Sequence, residues 1–98
     1  MTAIILDEAE VDLERAFDHY EGHRAGLGVE MLEEYRRGVE RILEYPNAWG
    51  IFGEIYRRYR IHRFPYGIVY RVDLVADQAV IVAVMHLAEG PDKWQARE

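Results

Sequence analysis

Two stretches in the first half of the chain repeat apolar residues at the spacing of an amphipathic helix. In residues 9–20 the apolar positions recur every three or four residues, with carboxylates between them. This spacing predicts a helix from Asp7, as its N-cap, to about Glu21. Residues 31–43 repeat the pattern until Pro46, which cannot continue a helix. Glycines lie between the two stretches, so we expect a helical hairpin.

The second half changes to alternating apolar and polar residues, rich in β-branched and aromatic side chains. This pattern predicts four strands, a short first one at residues 3–6 and the others at 55–63, 67–74 and 80–87. The FPYG sequence of residues 64–67 suits a type I turn, and residues 76–78 give the next reversal. We therefore expect an α+β fold with the order β-α-α-β-β-β, in which the helical hairpin packs on an antiparallel sheet.

The alternation also assigns side chains to the two faces of that sheet. One face of the third strand carries Ile68, Tyr70, Val72 and Leu74, which we expect to pack on the helices. Arg71 then lies on the opposite face. In the strand before it, Tyr59 and Ile61 resemble core residues. The side chains that we expect to share a face with Arg71 are therefore Arg58, Arg60 and His62.

Composition limits the class of protein. With 98 residues and 50% hydrophobic content, residues 1–98 fit a single domain. The absence of cysteine excludes disulfides and thiol catalysis. No basic leader precedes the apolar residues 3–6, and the longest apolar run, residues 79–85, is far shorter than the ~20 residues of a membrane helix. We expect a soluble, cytoplasmic protein with no membrane association.

Charge is divided unequally along the chain, whose formal net charge is -6. Residues 7–45 hold twelve carboxylates and five basic side chains, whereas residues 46–98 hold six and seven. The stretch 57–71 has five of the twelve Lys and Arg residues and no carboxylate. Because exposed charges more than ~8 Å apart are largely screened, this stretch can still attract an anion. Either helix carboxylates pair with these arginines or an external anionic group does.

The chain resembles the RelE/ParE superfamily of toxins from bacterial type II toxin-antitoxin modules, in its ParE-like or plasmid-stabilisation branch. The resemblance runs from about residue 3 to residue 94 and includes the order of elements. Its most specific motifs are RFPY at 63–66, Tyr70-Arg71, and His86 followed by Pro91 and Trp94. It implies a small toxin that a co-encoded antitoxin neutralises.

The resemblance also implies two alternative mechanisms. RelE-like members are ribosome-dependent mRNA endonucleases, whereas ParE-like members act on DNA gyrase. The RelE-type arginine would fall near residues 86–88 and the RelE-type tyrosine near Trp94, and neither is present. We therefore expect a protein that binds a target such as gyrase. The alternatives are a ribosome-dependent nuclease of the RelE type and a module that only binds its antitoxin.

Candidate functional residues follow from the basic stretch and the resemblance. Arg71 and His86 are weak candidates for a smaller catalytic site, with His86 as proton carrier. The candidates for binding the target or the antitoxin are Arg58, Arg60, His62, Arg71 and Trp94. His86 as a structural residue and Trp94 as packing for the C-terminus are the quieter interpretations, and we favour them. His19 and His23 have the spacing of a metal pair, but we interpret them as solvent-facing and expect no metal and no cofactor.

Partners follow from the same surfaces. We expect the arginine-bearing sheet to bind an acidic, partly disordered segment of a cognate antitoxin. DNA gyrase or the ribosome is the expected target. For the isolated chain we expect a homodimer, because the apolar last strand, residues 80–87, would offer an uncovered sheet edge.

Overall fold

A four-stranded sheet with two helices on one face forms the fold. The computed structural model describes all residues from Met1 to Glu98. Its elements are β1 (Thr2–Ile5), α1 (Asp7–His23), α2 (Leu27–Glu44), β2 (Arg57–Arg60), β3 (Tyr66–Asp73) and β4 (Gln78–His86). Residues 91–98, which contain two short 3-10 turns, are called the C-terminal tail below. The α+β class and the β-α-α-β-β-β order are confirmed.

The strands are arranged in the order β1-β4-β3-β2. The β2-β3-β4 meander is antiparallel as expected, whereas β1 pairs with β4 in parallel. Parallel pairing requires a long connection, which the residues between β1 and β4 supply. The last strand therefore lies inside the sheet, between β1 and β3. The expectation that β4 offers an apolar edge is wrong, since the edges belong to β1 and β2.

Both helices begin close to the predicted positions. Leu6 is the N-cap of α1 and Asp7 is its first helical residue, so the predicted cap is displaced by one residue. Three carboxylates in the first turn still favour this end of the helix through its dipole. Gly26, with a φ of 88°, is the N-cap of α2. A β-carbon on Gly28 would lie 2.7 Å from the Phe17 ring, so glycine here allows the two helices to approach closely.

The predicted turn between β2 and β3 is misplaced. Arg63 has a φ of 73°, and the Ile61 N–H donates to the Tyr66 carbonyl at 2.9 Å. The reversal therefore lies within residues 61–65, β2 is shorter than expected, and Tyr66 and Gly67 are already in β3. The residue preferences of type I turns do not predict an arginine with a positive φ.

The second reversal also moves slightly towards the N-terminus. It occupies residues 74–77, with Asp77 at a φ of 55°, and the Asp73 carboxylate accepts the Ala76 N–H at 3.0 Å. Since β3 ends at Asp73, Leu74 is 83% exposed and does not pack on the helices as predicted.

The main core lies between the helices and the sheet. Ile68 and Tyr70 are fully buried there and Val72 packs against them, as the alternation predicted. The other buried members are Ala9, Ala16, Met31, Ile42, Tyr59, Ile61, Phe64, Ala79, Ile81 and Val84. The Tyr70 hydroxyl donates to the Pro46 carbonyl at 2.7 Å, and burial raises the pKa of Tyr70 to about 12. This phenol therefore stays neutral at physiological pH and acts structurally.

A β-bulge in β4 places two consecutive residues in a second apolar cluster, which lies on the face of the sheet opposite the helices. Val69 pairs with Ala83 and Tyr70 pairs with Ile81, so β4 has one extra residue, Val82. Val82 and Ala83 both belong to the second cluster, with Val69, Val80 and Trp94. After the bulge, Val84 returns to the helix side. No helix in the structure has the length and apolarity that crossing a membrane requires.

Candidate functional site

The strand register places the arginines of the basic stretch. Arg58 pairs with Val69, which belongs to the second cluster on the face of the sheet opposite the helices. Arg58 therefore lies on that face. Its guanidinium carbon is 4.3 Å from the centre of the Phe52 ring, a cation-π contact. Alternation puts Arg60 on the same side, and its exposed side chain makes no ion pair. The predicted positions of Arg58 and Arg60 on one face agree with this register, whereas His62, predicted to lie with them, follows the end of β2 and belongs to the reversal, where strand alternation does not apply.

Arg71 also lies on this face, but its guanidinium is already paired with a carboxylate of the same chain. Its Nε is 2.9 Å from both oxygens of Glu98, and its Nη2 is 2.8 Å from Oε2. The Tyr56 hydroxyl donates to the same carboxylate at 3.0 Å. The hydrogen bond from Arg71 lowers the pKa of Glu98, and that carboxylate raises the pKa of Arg71. As long as the tail stays in place, Arg71 is not free to bind an external anion.

Trp94 is the tail residue that is buried against the sheet. Its side chain is 2% exposed, with ring centres 4.7 Å from Tyr56 and 5.6 Å from Phe52. The structure therefore places Trp94 as packing for the C-terminus, the interpretation we favoured. A partner cannot contact the ring unless the tail moves.

A second ion pair holds the tail and was not predicted. The Arg97 Nη1 and Nη2 donate to the Asp12 carboxylate at 2.6 and 3.0 Å, and Nη1 also reaches the Val82 carbonyl at 3.0 Å. The same carboxylate accepts the Val84 N–H, which lies beside the bulge, at 3.0 Å. Asp12 is one of the carboxylates that lie between the apolar positions of α1 in the sequence. Nothing in the sequence indicates a partner 85 residues away.

His86 stands apart from Arg71. Its Nδ1 accepts the Ala88 N–H at 3.0 Å, and its ring meets the edge of Tyr66 at 5.4 Å. The β3 partner of His86 is Tyr66, five residues before Arg71, which corresponds to about 17 Å along a strand. The structure therefore does not bring the two weak catalytic candidates into one site.

The surroundings of His86 contain charges of both signs. It lines a cavity of about 420 Å³ together with Arg15, His19, Lys93 and Glu89. Glu89 places a negative charge in this lining, whereas Arg15 and Lys93 place positive charges there.

His19 and His23 interact with each other. The His23 Nδ1 lies 2.8 Å from the His19 carbonyl oxygen, and the two ring centres are 4.6 Å apart. Both side chains are exposed. No three His, Asp or Glu side chains in the chain lie close enough together to hold a metal ion.

An apolar groove lies between α1 and α2 and extends to Ile5 of β1. It encloses about 620 Å³, and its apolar lining residues are Ile5, Leu13, Phe17, Leu32 and Tyr35. Three carboxylates form its rim, those of Glu10, Glu14 and Asp18. Burial raises the pKa of Tyr35 to about 12, with Glu10 as a smaller cause, so this phenol remains a neutral hydrogen-bonding group.

The fold and the family comparison together define a toxin of a type II toxin-antitoxin system. A family model described as "ParE toxin of type II toxin-antitoxin system, parDE" matches residues 3–91. The chain therefore belongs to the ParE toxin family, and the predicted membership of the RelE/ParE superfamily is confirmed. The family implies binding of a cognate antitoxin.

A solved structure has the same fold. It is described as "Chromosomal ParDE TA system from P. aeruginosa", and it superposes with a TM-score of 0.76 at 19% identity. The match covers 88% of this chain and 95% of the other. No curated protein sequence matches the chain.

Proposed function

We propose that this toxin acts by binding a protein target of the DNA gyrase type, without cleaving RNA, and that its antitoxin blocks that binding. The observation that carries the proposal is the separation of Arg71 from His86 by about 17 Å along the sheet. RNA cleavage by a 2′-hydroxyl needs a base, an acid and cations around one phosphate. These two candidates cannot serve the same phosphate.

The residues around each candidate support the same conclusion. Arg71 is neutralised by Glu98, and His86 uses Nδ1 within its own turn. Ala88 stands in the region where the RelE-type arginine is expected, and Trp94, where the tyrosine is expected, is buried. Removing one preorganised charge-stabilising group commonly costs about 100- to 1000-fold in rate, so a nuclease with these residues would be very slow.

The apolar groove of the helical hairpin supports a mode of antitoxin binding. A groove of this shape suits the apolar face of an amphipathic helix, and its carboxylate rim favours basic residues beside that face. Leu13→Glu would place a charge in the groove and weaken antitoxin binding. Val11→Glu is the matched control, because Val11 is an exposed residue of α1 outside the groove.

The sequence-based expectation for the antitoxin concerns a different surface. An acidic segment over Arg58, Arg60 and His62 stays a prediction, and Arg58→Glu with Arg60→Glu tests it. If these reversals leave affinity and its salt dependence unchanged while Leu13→Glu weakens binding, the groove is the main contact.

The target is tested with the purified toxin in two assays. Inhibition of gyrase supercoiling, relieved by antitoxin, would support the proposal. Codon-positioned cleavage of mRNA on programmed ribosomes, abolished by His86→Ala, would overturn it. If the toxin binds antitoxin but has no effect in either assay or on growth, the alternative of an antitoxin-binding module is correct.

Self-association of the isolated toxin also stays a prediction. With β4 inside the sheet, the surfaces open to a dimer include the edges of β1 and β2 and the apolar groove. Sedimentation of the purified chain over a range of concentrations decides between monomer and homodimer.

A further inference from the structure

An arginine-lined cavity lies between the second half of α2 and the edge strand β2. It encloses about 680 Å³, within the range of small-molecule sites. Its basic lining residues are Arg37 and Arg41 of α2, Arg60 of β2, and His62 and Arg63 of the following turn. Glu34 is the only carboxylate in the lining. We call this cavity the α2–β2 pocket.

The positive charge of the pocket is only partly neutralised within the protein. Glu34, whose side chain is 5% exposed, pairs with Arg37, and Arg63 pairs with Glu30 at 3.1 Å outside the pocket. Arg41 and Arg60 make no ion pair or hydrogen bond through their side chains. Arg41 and Arg60 thus add two unpaired positive charges to the lining of a cavity whose one carboxylate, Glu34, is already paired. Such an arrangement costs self-repulsion unless an anion occupies it.

An aromatic residue forms part of the same wall. Trp49 lines the pocket and meets Tyr59 edge-on, with ring centres 4.7 Å apart. Its indole Nε1 is buried without a hydrogen-bond acceptor, the only such side-chain atom in the protein. A buried donor without a partner costs about 1–3 kcal/mol. The pocket therefore has an aromatic wall beside its cations, with the indole nitrogen itself buried behind that wall.

We propose that the α2–β2 pocket is a phosphate-binding site, whose ligand is the phosphate of a nucleotide or of a nucleic-acid strand. Planar guanidinium groups bind phosphate oxygens in pairs, and several of them around one concave site match its charge of up to about -2. The site is separate from the predicted catalytic candidates and from the antitoxin groove. It does not depend on whether gyrase is the target.

The position of the pocket favours a compact phosphate over an acidic protein segment. The exposed surface of α2 beside it carries Glu33, Glu40 and Glu44. An extended acidic segment would run past these carboxylates and be repelled, whereas a single phosphate in the pocket meets the arginines and only Glu34, which Arg37 already neutralises.

The test measures binding of pyrophosphate, a nucleoside triphosphate, a short single-stranded oligonucleotide and a glutamate-rich peptide by calorimetry at low salt. Arg41→Gln and Arg60→Gln remove pocket charges that support no other contact, so both variants should fold. Arg36→Gln is the matched control, since it removes one charge from an exposed position of the same helix outside the pocket.

We expect saturable binding of pyrophosphate or the nucleotide, with affinity lowered about tenfold or more by each pocket variant and little by Arg36→Gln. Tighter binding of the oligonucleotide, with the same dependence on Arg41 and Arg60, would identify a nucleic-acid strand as the source of the phosphate. The proposal is overturned if no phosphate compound binds, if all three variants weaken binding equally, or if only the acidic peptide depends on the pocket. Circular dichroism and thermal unfolding verify that the variants are folded.

Discussion

The two faces of the sheet are covered in different ways. Helices α1 and α2 cover one face through a continuous apolar cluster that includes Ile68 and Tyr70. The eight-residue tail covers part of the other face, where Trp94 is the main apolar contact. The tail is held in addition by the Arg97–Asp12 and Arg71–Glu98 ion pairs.

Because the helix face is held by apolar packing and the tail by a few ion pairs and one tryptophan, the two faces should respond differently to mutation and to pH. Apolar packing is non-directional and nearly independent of pH, so the helix face should fail only when the whole domain unfolds. The tail depends on a few directional contacts, and segments of that kind open locally at lower free energy. Opening would expose Arg71 and Trp94, two of the predicted binding residues.

The largest effect is expected on the helix face. Ile68→Ala removes a fully buried side chain from the main core and should lower the free energy of unfolding by about 2–5 kcal/mol. Urea denaturation measures the loss. Val69→Ala, in the same strand but on the tail face, is the comparison. A smaller loss for Ile68→Ala than for Val69→Ala would contradict the greater importance of the helix face.

The next effect tests the anchor between the tail and α1. Asp12→Ala leaves Arg97 unpaired and deprives the Val84 N–H of its acceptor, so stability should fall by about 2–3 kcal/mol. Faster amide exchange in residues 91–98 than in α2 would show that the tail opens first. Uniform exchange throughout the chain would mean that the tail is part of the global unit. Asp12→Asn, which can still accept the Val84 N–H, should lose less.

The close contact between α2 and the sheet gives a third test. A β-carbon on Gly38 would lie 2.7 Å from the Tyr59 ring, so Gly38→Ala should destabilise the protein by about 1–3 kcal/mol. Gly22→Ala is the control, because the space around Gly22 in α1 is open. There the better helix propensity of alanine should stabilise by up to about 1 kcal/mol. Thermal unfolding distinguishes the opposite signs, and equal shifts would show that the Tyr59 ring accommodates the added methyl group without cost.

The smallest effect concerns Glu98 and depends on pH. The Arg71 and Glu98 side chains are 28% and 20% exposed, so Glu98→Gln should cost no more than about 1 kcal/mol at pH 7. Because the folded protein lowers the pKa of Glu98 below its ordinary 4.5, the ion pair stabilises above that pH. Its contribution is lost as pH falls through the lower folded value. The stability difference between wild type and variant should therefore shrink between pH 7 and pH 3, and a constant difference would exclude the ion pair as its cause.

Local patterns in the sequence predicted most of the fold and part of the site. The helical spacing gave both helices, and the strand alternation placed Arg58, Arg60 and Arg71 on one face. The turn at residues 61–65 was misplaced because its left-handed residue is Arg63, and propensity rules expect glycine or asparagine there. Leu74 was misassigned because β3 ends one residue earlier, at Asp73.

The sequence by itself determined the α+β class, the order of the elements and the resemblance to ParE toxins, because periodicity and short motifs are properties of neighbouring residues. Only the tertiary structure decided which arginines are free. It neutralises Arg71 with Glu98, stacks Arg58 on Phe52, and leaves Arg60, at the edge of the sheet, in the lining of the α2–β2 pocket with Arg37 and Arg41. These contacts join residues far apart in the chain, and their formation depends on strand order and on the bulge in β4, which no local pattern encodes.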